Sequence, residues 1–120
     1  MIEQVGKMPE VFFLFAEEFD WSYQITEAGY KLWYEAEVVV YHKGGATIGY
    51  GSPNRAYYMS RARLLFTRRR SKWAIRLLSC TYLVCVSMPK NVIVALRKKN
   101  WMVAIALIRG TWHGLIDKKK

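Results

Sequence analysis

Apolar and polar positions change texture several times along this chain. Val11–Phe15 is continuously apolar after the break at Met8-Pro9-Glu10, which suits a buried turn or strand. From Glu17 the spacing becomes helical. Trp21, Ile25 and Ala28 recur at i, i+4 and i+7, while Asp20, Gln24 and Glu27 share the opposite face. Acidic residues crowd the first turn and Gly29 stands where a helix can stop, so the pattern predicts a helix over Glu17–Ala28. Lys31–Tyr34 and Val38–Tyr41 read as two strands around Glu35-Ala36-Glu37, the second β-branched and apolar on both faces. Gly44-Gly45 and Gly49-Tyr50-Gly51-Ser52-Pro53 mark a loop.

The second half reads as helix throughout. Ser52-Pro53 suits a helix start, and the helix is expected to run to Arg70 with an apolar stripe of Tyr58, Ala62, Leu65 and Phe66. A further helix is expected over Trp73–Met88, ended by Pro89. Two shorter ones follow over Asn91–Lys98 and Trp101–Leu115, the last interrupted by Gly110 and Gly114. With 120 residues there is material for one small core. The organisation expected is an α/β part over residues 1–70, containing a short strand pair, followed by a basic amphipathic helical tail over residues 71–120.

Charge divides the chain in the same way. Residues 1–52 carry a net charge of −5 and residues 53–120 a net charge of +15. Arg68-Arg69-Arg70-Ser71-Lys72-Trp73 and Arg97-Lys98-Lys99-Asn100-Trp101 each set a cationic cluster beside a tryptophan, with apolar stretches between them. That alternation suits an anionic membrane surface. Nucleic acid is disfavoured: the N-terminal half is acidic, and no recognised nucleic-acid motif is present. The longest uncharged run, Leu77–Pro89, is thirteen residues, which predicts an interfacial helix rather than a spanning one. The expected placement is peripheral, on the cytoplasmic face of the cell membrane. No signal peptide is visible, and Cys80 and Cys85 read as buried, reduced thiols.

The ordered strings Phe13-Leu14-Phe15-Ala16-Glu17-Glu18-Phe19-Asp20-Trp21, Ala28-Gly29-Tyr30, Val40-Tyr41-His42-Lys43-Gly44-Gly45 and Tyr57-Tyr58-Met59-Ser60-Arg61-Ala62-Arg63-Leu64-Leu65-Phe66 carry a resemblance. Over roughly residues 2–70 the chain resembles the C-terminal half of a family 2 glycosyltransferase of the GT-A fold, of the rhamnosyltransferase-like kind found in bacterial polysaccharide synthesis. The resemblance implies sugar transfer with inversion from a nucleotide sugar to a hydroxyl of a saccharide or lipid-linked acceptor, assisted by a divalent metal, Mg or Mn. It departs from the family at Gln24, where Arg is common, and at Ala62, where Asn is common. No Asp-x-Asp motif and no nucleotide-binding βαβ unit occurs in the chain. Donor binding is therefore expected of a separate N-terminal half, without which this piece would be inactive. The alternative is a non-catalytic basic helical adaptor for a membrane or a partner protein.

Inverting transfer needs one general base to take the acceptor's hydroxyl proton. Glu18 matches the family's catalytic acid. Its helical register, beside Trp21, Ser22 and Ile25, predicts partial desolvation, which makes a carboxylate a better base. Asp20 is expected to support it by holding an acceptor hydroxyl or a basic partner, while Glu17 reads as structural. The resemblance implies that His42 lies near the metal and diphosphate, as imidazole can ligate such an ion. Gly44 and Gly45 could bring backbone N–H groups to phosphate oxygens. Arg61, with Arg55 and Tyr58, could reach the diphosphate from the second long helix. His113 reads as incidental.

Overall fold

Helix α3 (Pro53–Arg70) is the central beam of the molecule. Its start is built as its sequence demands: Ser52 Oγ accepts a hydrogen bond from the Arg55 backbone N–H at 3.2 Å, and Pro53 occupies the first turn, where a missing N–H costs nothing. The structure, a computed structural model, describes residues 2–41 and 48–118. After α1 (Ile2–Val5), the elements packed on α3 are α2 (Glu17–Glu27), a long apolar helix and α6 (Trp101–Ile116). The long helix comprises α4 (Trp73–Tyr82), a π-helical turn (Leu83–Ser87) and α5 (Met88–Arg97).

Three stripes of α3 meet three surroundings. Ala62 and Leu65 pack on Phe12, with Val11, Phe15, Ala16 and Phe66 around them. Of the expected stripe, Ala62, Leu65 and Phe66 lie here, while Tyr58 packs on Phe13 beside it. A second stripe, Tyr57–Arg61–Leu64–Arg68, faces α6 through Gly110 and Gly114. A Cβ at Gly110 would lie 2.3 Å from the Tyr57 carbonyl oxygen, and one at Gly114 would lie 2.8 Å from that of Arg61. The glycines therefore do not interrupt α6: they allow two helix backbones to touch. Arg68 tightens this seam, donating to the carbonyls of Gly114 at 2.8 Å and Asp117 at 2.9 Å. The third stripe, which includes Ser60 and Arg63, borders the long helix.

The expected α/β class with a strand pair is overturned: among the described residues the elements are all helical. Residues 31–41 form no strand: they are irregular, with a turn at Ala36-Glu37. Leu32, Trp33, Tyr34 and Val38 to Tyr41 are all exposed. A strand holds only when its backbone groups have a neighbouring strand, and two short strands with no third strand or covering helix bury too little to pair.

Pro89 was expected to end a helix, yet the helix runs unbroken from Trp73 to Arg97, 25 residues. A proline ring strikes the carbonyl four residues back in α-geometry. Here the preceding turn widens, and the Met88 N–H reaches back five residues to the Leu83 carbonyl. At 1.5 Å per residue the helix is about 37 Å long. It is long and apolar enough to cross a membrane, and its apolar window contains no buried residue. Asn100 turns the chain into α6 by accepting from the Val103 N–H at 3.2 Å. The expected burial of both cysteines is also corrected: Cys80 is half-buried and Cys85 exposed, both as free thiols.

Candidate functional site

The acidic motif opens α2 from a strained turn. Phe15 and Ala16 both adopt left-handed backbone, with φ of 67° and 69°. Residues with a Cβ rarely occupy that region, at a cost of roughly 1–2 kcal/mol each. The turn holds Phe12 inside the core and delivers Glu17, Glu18 and Asp20 into the first turn of α2. Trp21 anchors the helix from behind, its indole N–H donating to the Gly6 carbonyl at 3.1 Å. Gly29, at φ 88°, ends α2 in the left-handed conformation expected of it, and the Tyr30 N–H closes back on the Ile25 carbonyl.

Of the three acids, Asp20 is fully buried, at 0 % exposure. Arg70 grips it from the last turn of α3, with Nε 2.7 Å from one carboxylate oxygen and an Nη 2.8 Å from the other. Arg69 adds longer contacts of 3.3 Å to both oxygens. Burial pushes the Asp20 carboxyl up, but hydrogen bonds from Arg70 and Arg69, together with their charges, outweigh it and hold Asp20 below the usual carboxylate range. The hydrogen bonds that Arg70 donates to Asp20 raise Arg70 in turn, against the opposing effect of burial. Arg70 also binds Glu27 at 3.0 Å and covers the Tyr23 ring, and Arg69 lies over Phe12. Asp20 is thus an anionic pin between α2 and α3, committed to two guanidiniums.

Glu18 is exposed on the outer side of α2. The desolvation expected from its register is not what the structure displays: Ile25 is buried against the body, while Glu18 points to solvent. Glu17, read from sequence as structural, is the half-buried member, and its Oε2 is shielded from solvent without a hydrogen-bond partner. The exposed carboxylate of Glu18 is the chemically available part of the motif.

The other expected site residues are dispersed. Arg61 forms a 2.5 Å ion pair with Asp117 and donates to the Val11 carbonyl at 3.1 Å, so it ties the N-terminal segment and the end of α6 to α3. Tyr58 stacks on Phe13 with ring centroids 5.1 Å apart. Arg55 lies over the rings of Phe15 and Tyr50. His42, Gly44 and Gly45 fall outside the described residues. Among the described residues no three His, Cys, Asp or Glu side chains gather as a metal site. His113, read as incidental, shares a 2.6 Å hydrogen bond with the Tyr57 hydroxyl across the α3–α6 seam.

Two features escaped sequence reasoning. One is the Asp20 clamp: Arg69 and Arg70 looked like part of a membrane-facing cationic cluster, but they turn inward. The other is the reversed polarity of α6. Its buried face is small (Ala104, Ala106, Gly110, Thr111, Gly114), whereas Trp101, Ile105, Ile108, Trp112 and Ile116 are exposed along one stripe. The i, i+4, i+7, i+11, i+15 spacing of that outer stripe is present in the sequence. The long helix continues the exposed surface with Trp73, Ile75, Leu77, Leu78, Tyr82 and Val86.

No family model matches the chain, and neither a curated protein nor a solved structure shows significant similarity to it.

Proposed function

We propose that this chain is the acceptor-side, membrane-attached part of an inverting glycosyltransferase that acts on lipid-linked saccharides. The observation that carries the reading is one scaffold with two faces. α3 pins an acidic helix start on one side through Asp20 with Arg69 and Arg70, and bears an outward-facing apolar hairpin of α5 and α6 on another. Water would favour burying Trp112 and exposing Gly110; the opposite arrangement suits a face that meets lipid. Both halves of the long helix also pack on the body, α4 on α3 and α5 on α6. A helix held this way lies along the bilayer surface with its apolar side immersed, because a spanning placement would drag the arginines of α3 into hydrocarbon.

In this reading Glu18 is the general base. It is accessible to an incoming hydroxyl and is held in place by the left-handed turn before it and the Asp20 clamp after it. It takes the proton of the acceptor hydroxyl as that oxygen attacks the anomeric carbon of the donor sugar. The nucleotide-diphosphate leaving group is held by the nucleotide-binding part of the enzyme, and the acceptor or that part excludes water from Glu18. When present, the divalent metal would neutralise charge on the departing diphosphate.

The test is transfer of labelled sugar from nucleotide sugars to lipid-linked acceptors in membranes containing the chain and the nucleotide-binding part. Glu18→Gln should abolish transfer with donor binding intact. Undiminished turnover removes Glu18 from the role of base. The exposure of Glu18 also favours a second reading, a non-catalytic membrane adaptor. In that case no pairing with a donor-binding part yields transfer, while membrane attachment persists.

A further inference from the structure

α3 presents six arginines, and five have partners: Arg55 lies over aromatic rings, and Arg61, Arg68, Arg69 and Arg70 hold carboxylates or carbonyls. Arg63 makes no hydrogen bond or ion pair among the described residues and is exposed. It stands where two grooves meet. On one side a groove of about 510 Å³ is lined by Phe66, Leu78, Tyr82 and Leu83 and is mainly apolar. On the other a groove of about 250 Å³ is of mixed lining, with Ser52, Ser60 and Asn91 beside Met59, Val103 and Leu107. The apolar groove opens along α4, whose Leu78 and Tyr82 belong to the exposed apolar surface.

We propose that Arg63 is the phosphate contact of a binding site for a single lipid whose phosphate is esterified to a long apolar chain. The apolar chain lies over Phe66, Leu78 and Tyr82 and continues into the bilayer beside α4. The phosphate meets the guanidinium of Arg63, whose planar fork matches two phosphate oxygens. Ser60 and Asn91 supply hydrogen-bonding groups to whatever the phosphate carries beyond the chain. An apolar groove, a cation at its edge and a second groove of mixed lining suit an amphiphile, and a free anion would leave the larger groove unused. The proposal rests on the membrane-attachment part of the reading above and not on the transfer chemistry, so its test reads lipid binding alone.

The test is isothermal titration of the full chain in neutral detergent with short-chain phosphatidic acid, the matching phosphatidylcholine and inorganic phosphate. Phosphatidic acid should bind at least tenfold more tightly than either of the others. Arg63→Ala should lower that affinity at least tenfold with unchanged far-UV circular dichroism, Arg63→Lys should retain an intermediate affinity, and Lys98→Ala should bind as the native chain does. The proposal is overturned if Arg63→Ala binds undiminished, if inorganic phosphate binds as tightly as the lipid, or if Lys98→Ala loses as much as Arg63→Ala. Flotation on neutral vesicles separately reports membrane attachment, so loss of the site and loss of the attachment reading give different results.

Discussion

Asp20 shows how one residue's environment decides its work. A carboxylate with no exposed surface survives in ionised form only with partners, and Arg70 and Arg69 supply them. Removing one side of such a pair leaves buried charge uncompensated, a loss of about 3–5 kcal/mol. Asp20→Asn should therefore lower unfolding stability by about 3 kcal/mol, near the bottom of that range, read by urea denaturation. The pH dependence follows from the depressed carboxyl. Unfolded Asp titrates near about 3.9 and folded Asp20 below it, so the stabilisation is fully present above that value and is lost as pH falls through the folded pKa. Acid titration of Asp20→Asn should lack this component; an acid transition identical to that of the native chain would show that the clamp does not carry it. Ala16 lies in the left-handed region, where glycine is unstrained. Ala16→Gly should be neutral or stabilising by up to about 1 kcal/mol, despite the usual entropic cost of glycine. A clear loss of stability would mean that the Ala16 methyl, packed against the Phe12 core, matters more than its backbone strain.

At the scale of elements, the contact of α3 with α6 depends on the absence of two side chains. A Cβ at Gly110 would meet peptide atoms of Tyr57, and backbone cannot swing aside as a side-chain end can. Gly110→Ala should cost about 2–3 kcal/mol, in the upper range for overpacking, even though alanine is the better helix former. Thermal unfolding read by far-UV circular dichroism checks this, and an increase in stability would show that the helices do not approach so closely. The polar contacts of the seam, Tyr57 with His113 and Arg61 with Asp117, depend on the same approach. The long helix illustrates the converse, in which a local rule is obeyed by deformation. Pro89 does not stop it, because one widened turn absorbs the clash.

Across the whole molecule, large side chains lie outside and small ones lie between helices in α6. That distribution predicts attachment to lipid driven by apolar burial rather than by charge alone. Each immersed aliphatic or aromatic side chain contributes roughly 1.5–3 kcal/mol. The chain should float with vesicles containing anionic lipid, and raised salt should weaken this only partly, since screening leaves apolar burial untouched. Replacing Ile105, Ile108 and Trp112 together by Ser should release it into solution with helix content preserved, as these side chains lie outside the fold. Continued flotation of the triple variant would rule out α6 as the membrane face.

Local pattern determined much of this protein. The limits of α2 and α3, the Ser52 cap, the Gly29 stop and the core stripe of Ala62 and Leu65 all follow from spacing and backbone preference, which act over a few residues. Tertiary structure decided the rest. Whether β-branched residues 38–40 become strand depends on a neighbour that sequence pattern cannot supply, and among the described residues they have none. Whether Arg69 and Arg70 face lipid or Asp20 depends on how α2 docks against α3, some fifty positions apart in the chain. Gly110 and Gly114 read as helix breakers until another backbone occupies the space beside them. Propensity is a property of a residue and its near neighbours, whereas burial, pairing and close approach belong to surfaces that exist only once distant segments have come together.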